Sequence, residues 1–187
     1  MAGIPDKDRG KARQVMLEEA EAIAAAHGFA ALSITSLCDT TGFPPPRVRY
    51  HLRNTAHLRF MVLDALLLRL MNGLEQPDGL PAAEHLAGLC RDATLRKAGA
   101  ARHLGAVPWD SMTPPHRSAL RHKQRLILHC FAEALHACHP DTGFTHAELL
   151  ARSLLAMLDA YAAWPNGPGI PAAADYADMA RRMALTA

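Results

Sequence analysis

No stretch of this sequence alternates polar with apolar residues, and that absence removes the half-buried β-strand as a building unit. Apolar residues recur instead at three- and four-residue intervals. Ala and Leu are plentiful while only 5% of the residues are aromatic, so local preference agrees with the pattern. The chain is expected to be all-α, with almost no strand. Its 187 residues, half of them hydrophobic, suffice for one sizeable core or two small ones.

Glycine and proline cut the chain into helix-sized pieces, with breaks expected at Gly28, Gly42, 75–81, 105–115, 139–143 and 165–171. The first helix is expected from about 11 to 27, with Met16, Ala20, Ile23 and Ala24 on one stripe and Gly28 in a left-handed conformation just past its end. Ser33 is placed to N-cap a short helix over 34–41 that Gly42 closes. A second short helix follows over 45–52, and Asn54 or Thr55 caps a long one reaching about Leu74. Leu58, Val62, Leu66, Leu67, Leu70 and Leu74 surround that helix on nearly every side. It should therefore be buried, joining an N-terminal unit (1–54) to a second unit (55–187).

Helices are expected next over about 82–97 and 116–138, then two more. The segment 145–164 has the strongest start signal, a capping box of Thr145 and Glu148 with Phe144 stapled onto Leu149. Its stripe is Leu150, Leu154, Met157, Tyr161 and Trp164. The last helix offers Tyr176, Met179, Ala180 and Met183, and both stripes read equally as core or as a subunit interface.

The net charge of +2 announces no polyanion partner, but its distribution is uneven. Between Asp39 and Asp64 no acidic residue occurs, while Arg47, Arg49, Arg53, Arg59, His51 and His57 do. Two short helices joined by Gly42-Phe43-Pro44, the second rich in arginine, fit a helix-turn-helix whose second helix enters the DNA major groove. A plain packing unit with a glycine turn remains the other reading.

Residues 12–66 resemble the head of the TetR family of transcriptional regulators. The likeness is carried by His27-Gly28-Phe29, Leu32-Ser33-Ile34, Leu37, Thr41-Gly42-Phe43 and Val48-Arg49-Tyr50-His51-Leu52, followed by Arg53-Asn54 and a long fourth helix. The resemblance implies a three-helix DNA-binding head on a helical body, acting as a homodimer on a palindromic operator of double-stranded DNA. It also implies a small-molecule effector in the body and the role of a ligand-responsive repressor. Ser33 then caps the second helix beside a phosphate, Thr35 faces the groove, Pro45, Arg47 and Arg49 form the reading face, and Tyr50 and His51 contact backbone. Thr55 stands where a phosphate-binding lysine is common, so that one charge contact is missing or moves to Arg53. Arginines on the reading face favour guanine, whose O6 and N7 accept a bidentate pair. Pro44 replaces a customary capping serine; a degenerate head acting through a protein partner is the alternative function.

In the body, Cys90, Trp109, Met112, Phe131 and Leu158 line an effector cavity or else are simple core. The dimer interface is expected at Leu150, Leu154, Met157, Tyr161, Tyr176, Met179 and Met183. His129, Glu133 and His136 share a helical face with the donor types of a metal site, but a solvated or pocket-lining face explains them better; no metal and no cofactor are expected. Four cysteines without a CxxC pair suit reduced thiols in the cytoplasm. The greasiest run, near Leu63, is interrupted by Asp64 and Arg69, so no membrane span is expected. With no phosphate loop, GxSxG or HExxH, no enzymatic role is expected.

Overall fold

The computed structural model describes residues 6–72, 74, 79–96, 107–163 and 172–186. Trp164, Lys97 and the breaks at 75–78, 105–106 and 165–171 lie outside the described residues. Eight α-helices are described: α1 (Asp6–His27), α2 (Ile34–Thr41), α3 (Pro45–Leu52), α4 (Thr55–Met71), α5 (Ala82–Arg96), α6 (Pro114–Cys138), α7 (Phe144–Ala163) and α8 (Ala173–Thr186). The all-α expectation holds, and the two short helices fall on the expected boundaries.

Helices α1, α2 and α3 pack into an N-terminal head, with α1 on α2 and α2 on α3. Met16, Ala20, Ile23 and Ala24 bury the expected face of α1 against Phe29, Leu32, Leu37, Val48 and Leu52. Gly28 has the positive φ the turn requires, 79°, but with ψ 169°. It is thus extended with positive φ, a region open essentially to glycine, rather than left-handed helical.

Helix α4 is the strut between head and body. It packs on α1 and α3 of the head and on α5 and α6 of the body, and Leu58, Val62, Leu63, Leu66, Leu67 and Leu70 are buried. The 1–54 boundary falls at its N-cap, yet one apolar core continues from Met16 in α1 to Ala184 in α8. Asn54, not Thr55, is the cap, its Oδ1 accepting from the His57 amide at 2.8 Å. Glu21 of α1 pairs with Arg69 of α4 at 2.6 Å, and Asp64 of α4 pairs with Lys123 of α6.

In the body α6 lies along α7 and α5 along α8. The expected start of α7 needs correction. The helix begins at Phe144, and the Ala147 amide donates to Gly143 O, so Thr145 sits inside the first turn rather than at the cap. Glu148 turns the other way, to Arg152 at 2.6 Å. Phe144 does not staple onto Leu149, which is 58% exposed; its ring lies against those of His129 and His136, at 5.5 and 5.9 Å. No described helix is long and apolar enough to cross a membrane.

Candidate nucleic-acid interface

The geometry of the head begins with its caps. Ser33 sits in extended backbone before α2 and its hydroxyl accepts from the Ser36 amide at 2.9 Å, while Ser36 Oγ accepts from the Ser33 amide at 3.0 Å. Serine thus does what glutamate usually does in a capping box, so the pair carries no Glu or Gln signal in the sequence. Gly42 ends α2 at φ 68°, ψ 6°, its amide donating to Cys38 O. That left-handed turn sends the chain directly into α3.

Helix α3 starts at Pro45 behind Pro44, with no side-chain cap. The two prolines at the front of the helix occupy first-turn positions where a missing amide costs nothing. Val48 and Leu52 are fully buried and anchor one face. The flank beside it exposes Pro45, Pro46, Arg49 and Tyr50, spaced as i, i+1, i+4 and i+5, a continuous stripe of a 3.6-residue helix, and Arg53 at the C-cap is exposed as well. Tyr50 is 66% exposed, and His51 beside it meets its ring edge-on at 5.0 Å.

Arg47 departs from the placement expected of it. Its guanidinium lies over the Phe43 ring at 4.4 Å and its Nε is buried without a hydrogen-bond partner. The cation–π contact ties it to the turn, so Arg49 and Arg53 carry the outward positive charge. Thr35, on the outer side of α2, is exposed, Ser33 half-buried and Thr55 half-buried.

Arg53 is the one non-glycine residue with positive φ among the described residues, at φ 54°, ψ −69°. Its amide donates to Arg49 O at 2.8 Å, so it closes α3 while its side chain stays exposed. An L-residue held there is strained by about 1–3 kcal/mol.

The other expected sites divide differently. Cys90, Phe131 and Leu158 are fully buried and Met112 nearly so, with Trp109 half-buried. They belong to the single apolar core, and burial pushes the Cys90 thiol up to about 12. Leu154 is also fully buried and Tyr176 almost so; the Tyr176 ring stacks on Tyr161 at 4.6 Å and its hydroxyl donates to Met157 O. These two are core within the protomer, not interface. Of the expected dimer surface, Leu150, Met157 and Tyr161 are half-buried, whereas Met179 and Met183 are 42% and 54% exposed. His129 pairs with Glu133 at 3.4 Å on the surface, and among the described residues no group of three or more His, Cys, Asp or Glu could hold a metal.

No protein-family model matches the sequence and no characterised protein matches it significantly. The fold, by contrast, has many counterparts. A regulatory protein of the TetR family from Rhodococcus RHA1 superposes with a TM-score of 0.77 at 16% identity, over 94% of this chain and 96% of that one. AibR, solved with isovaleryl coenzyme A and operator DNA, gives 0.74 at 16% identity over 91% and 96%. The ketosteroid regulator KstR2 of Mycobacterium tuberculosis gives 0.69 at 17% identity over 99% and 96%. The chain has the fold of the TetR-type transcriptional regulators.

Proposed function

We propose that this protein is a DNA-binding transcriptional regulator that works as a homodimer in the cytoplasm, and that it represses until a small molecule occupies its body. The observation that carries the reading is the exposed flank of α3 and its C-cap, where Arg49, Tyr50 and Arg53 face solvent while Val48 and Leu52 are buried and anchor the helix. A helix held this way by α2 across a glycine turn can lie in a major groove with its arginines at base edges and phosphates. Arg49 and the two prolines then read bases, while Thr35, Tyr50, His51 and Arg53 position the backbone. Likeness in fold to AibR, whose complex includes both operator DNA and isovaleryl coenzyme A, supports the two-ligand logic.

Two heads must present their α3 helices about one DNA turn apart, roughly 34–36 Å. Helix α4 carries any shift at its body end to the head, so an effector need only favour the wrongly spaced state. A coupling of about 1–3 kcal/mol lowers operator affinity about 5–150-fold. The experiment is a gel shift on the gene's own upstream region, followed by titration of a thermal-shift hit into the complex. A discrete complex that the hit dissolves supports the reading; absence of any complex rejects it, and tightening by the hit would make the small molecule a corepressor.

A further inference from the structure

A second basic surface lies on the body. Arg117, Arg121 and Arg125 follow one another at four-residue steps along α6 and line a groove of about 650 Å³, with Arg152 of α7 on its other side and Pro114, Ser118, Gln124 and Leu128 completing it. No acidic residue occurs in the sequence between Asp110 and Glu133. Like charges at i and i+4 on a helix repel and are mildly destabilising, so this row costs the fold something.

The members are not equally committed. Arg117 is half-buried and donates to Met112 O at 3.0 Å and Trp109 O at 3.5 Å; carbonyl contacts fix its direction but leave its charge unneutralised. Arg121 and Arg125 are exposed, with no ion-pair or hydrogen-bond partner among the described residues. Arg152 holds Glu148 at 2.6 Å, but both are substantially exposed, and such a pair is worth at most about 1 kcal/mol. An incoming anion can displace it.

We propose that this groove binds a small molecule carrying at least two linked phosphoryl groups, such as a nucleoside diphosphate. Its volume falls in the range of small-molecule sites, roughly 300–1,000 Å³. From Arg117 to Arg125 the row spans about 12 Å of helix, room for a diphosphate and its sugar. Guanidinium forks match phosphate oxygens bidentately, which a row of lysines would not. Pro114 and Leu128 at the two ends give apolar surface to the non-phosphate part. The site belongs to the body, apart from the α3 stripe, so its occupancy can be read without any operator.

The test is calorimetric titration of the full chain with ADP, inorganic diphosphate and AMP, beside the double variant Arg121→Gln, Arg125→Gln. ADP and diphosphate should bind the wild type, AMP at least about tenfold more weakly, and the double variant should lose at least about tenfold of the ADP affinity. Circular dichroism and an unliganded melting temperature equal to or above that of the wild type would show the variant folded, since repulsion has been relieved. Absence of ADP and diphosphate binding up to about 1 mM, or equal ADP binding by the folded variant, overturns the proposal. So does saturable binding of duplex DNA at this groove with none of ADP, which would make it an extension of the nucleic-acid surface.

Discussion

Phe60 of α4 and His116 of α6 stack face to face, with ring centroids 4.1 Å apart and planes 7° from parallel. His57, one turn earlier, tilts against both, at 6.1 and 5.5 Å. Beside them Arg59 donates to Ala30 O in the head at 3.0 Å and to Ser111 Oγ in the body at 3.1 Å. Head and body are thus locked together at the root of α4, which is what a strut needs if body movements are to reach α3.

This junction makes stability depend on pH. Burial pushes the His57 imidazole below its ordinary value of 6.5, and the nearby charges of His116, Arg53 and Arg13 act in the same direction. The unfolded chain therefore takes up this proton at higher pH than the folded one. The stability is fully present above about pH 6.5 and is lost as pH falls through the lower folded value. Melting temperatures of the wild type and His57→Gln, measured from pH 7.5 downward, should show the smaller decline in the variant; parallel curves would contradict the assignment.

The strain at Arg53 predicts an effect of opposite sign on two measurements. Arg53→Gly should raise the unfolding free energy by about 1 kcal/mol, because glycine accepts φ 54° without a Cβ clash. It should also weaken DNA binding and flatten its salt dependence, one phosphate contact being lost. A variant that is less stable than wild type would show that the surrounding hydrogen bonds, not the strain, dominate.

His85 in the first turns of α5 is buried, and both ring nitrogens lack a hydrogen-bond partner among the described residues. An unsatisfied buried polar group costs about 1–3 kcal/mol, and an apolar side chain of similar size removes that cost. His85→Leu should raise the free energy of urea unfolding by an amount of this order. A loss instead would mean that the imidazole has a partner in solution, such as an ordered water.

Exposure separates the residues of α7 and α8 that can reach a second copy from those that cannot. Met179→Glu with Met183→Glu places charges on side chains already half in water, and should give folded monomers in light scattering. Leu154→Glu should instead unfold the protomer, at roughly 4 kcal/mol or more, since the charge enters a fully buried position. A dimer unchanged by the methionine pair places the interface on another face.

Most of what was legible in the sequence was governed by local chemistry, although the capping box expected of Thr145 and Glu148 is replaced by a helix that starts at Phe144 and by the Glu148–Arg152 pair. The turn at Gly42, the cap at Ser33 and the bounds of α2 and α3 follow from residues within a few positions of one another. The orientation of Arg47 was not, because its cation–π contact depends on how the Pro44 turn presents Phe43. Periodicity showed that Leu154 and Tyr176 are buried but not against what, and the protomer's own core is the answer. The arginine row of α6 escaped notice because arginines at helical spacing look like an ordinary solvated face until Arg152 is brought opposite them by the packing of α7.

The central claim, that the α3 stripe binds duplex DNA, is tested most directly by fluorescence anisotropy of the full chain on its upstream region across a series of salt concentrations, with Arg49→Ala alongside. The wild type should bind with log K falling linearly against log salt. Arg49→Ala should lose about 1–3 kcal/mol, roughly 5–150-fold in affinity, while its melting temperature stays unchanged. Equal affinity of variant and wild type, or no salt-dependent complex at all, would contradict the account.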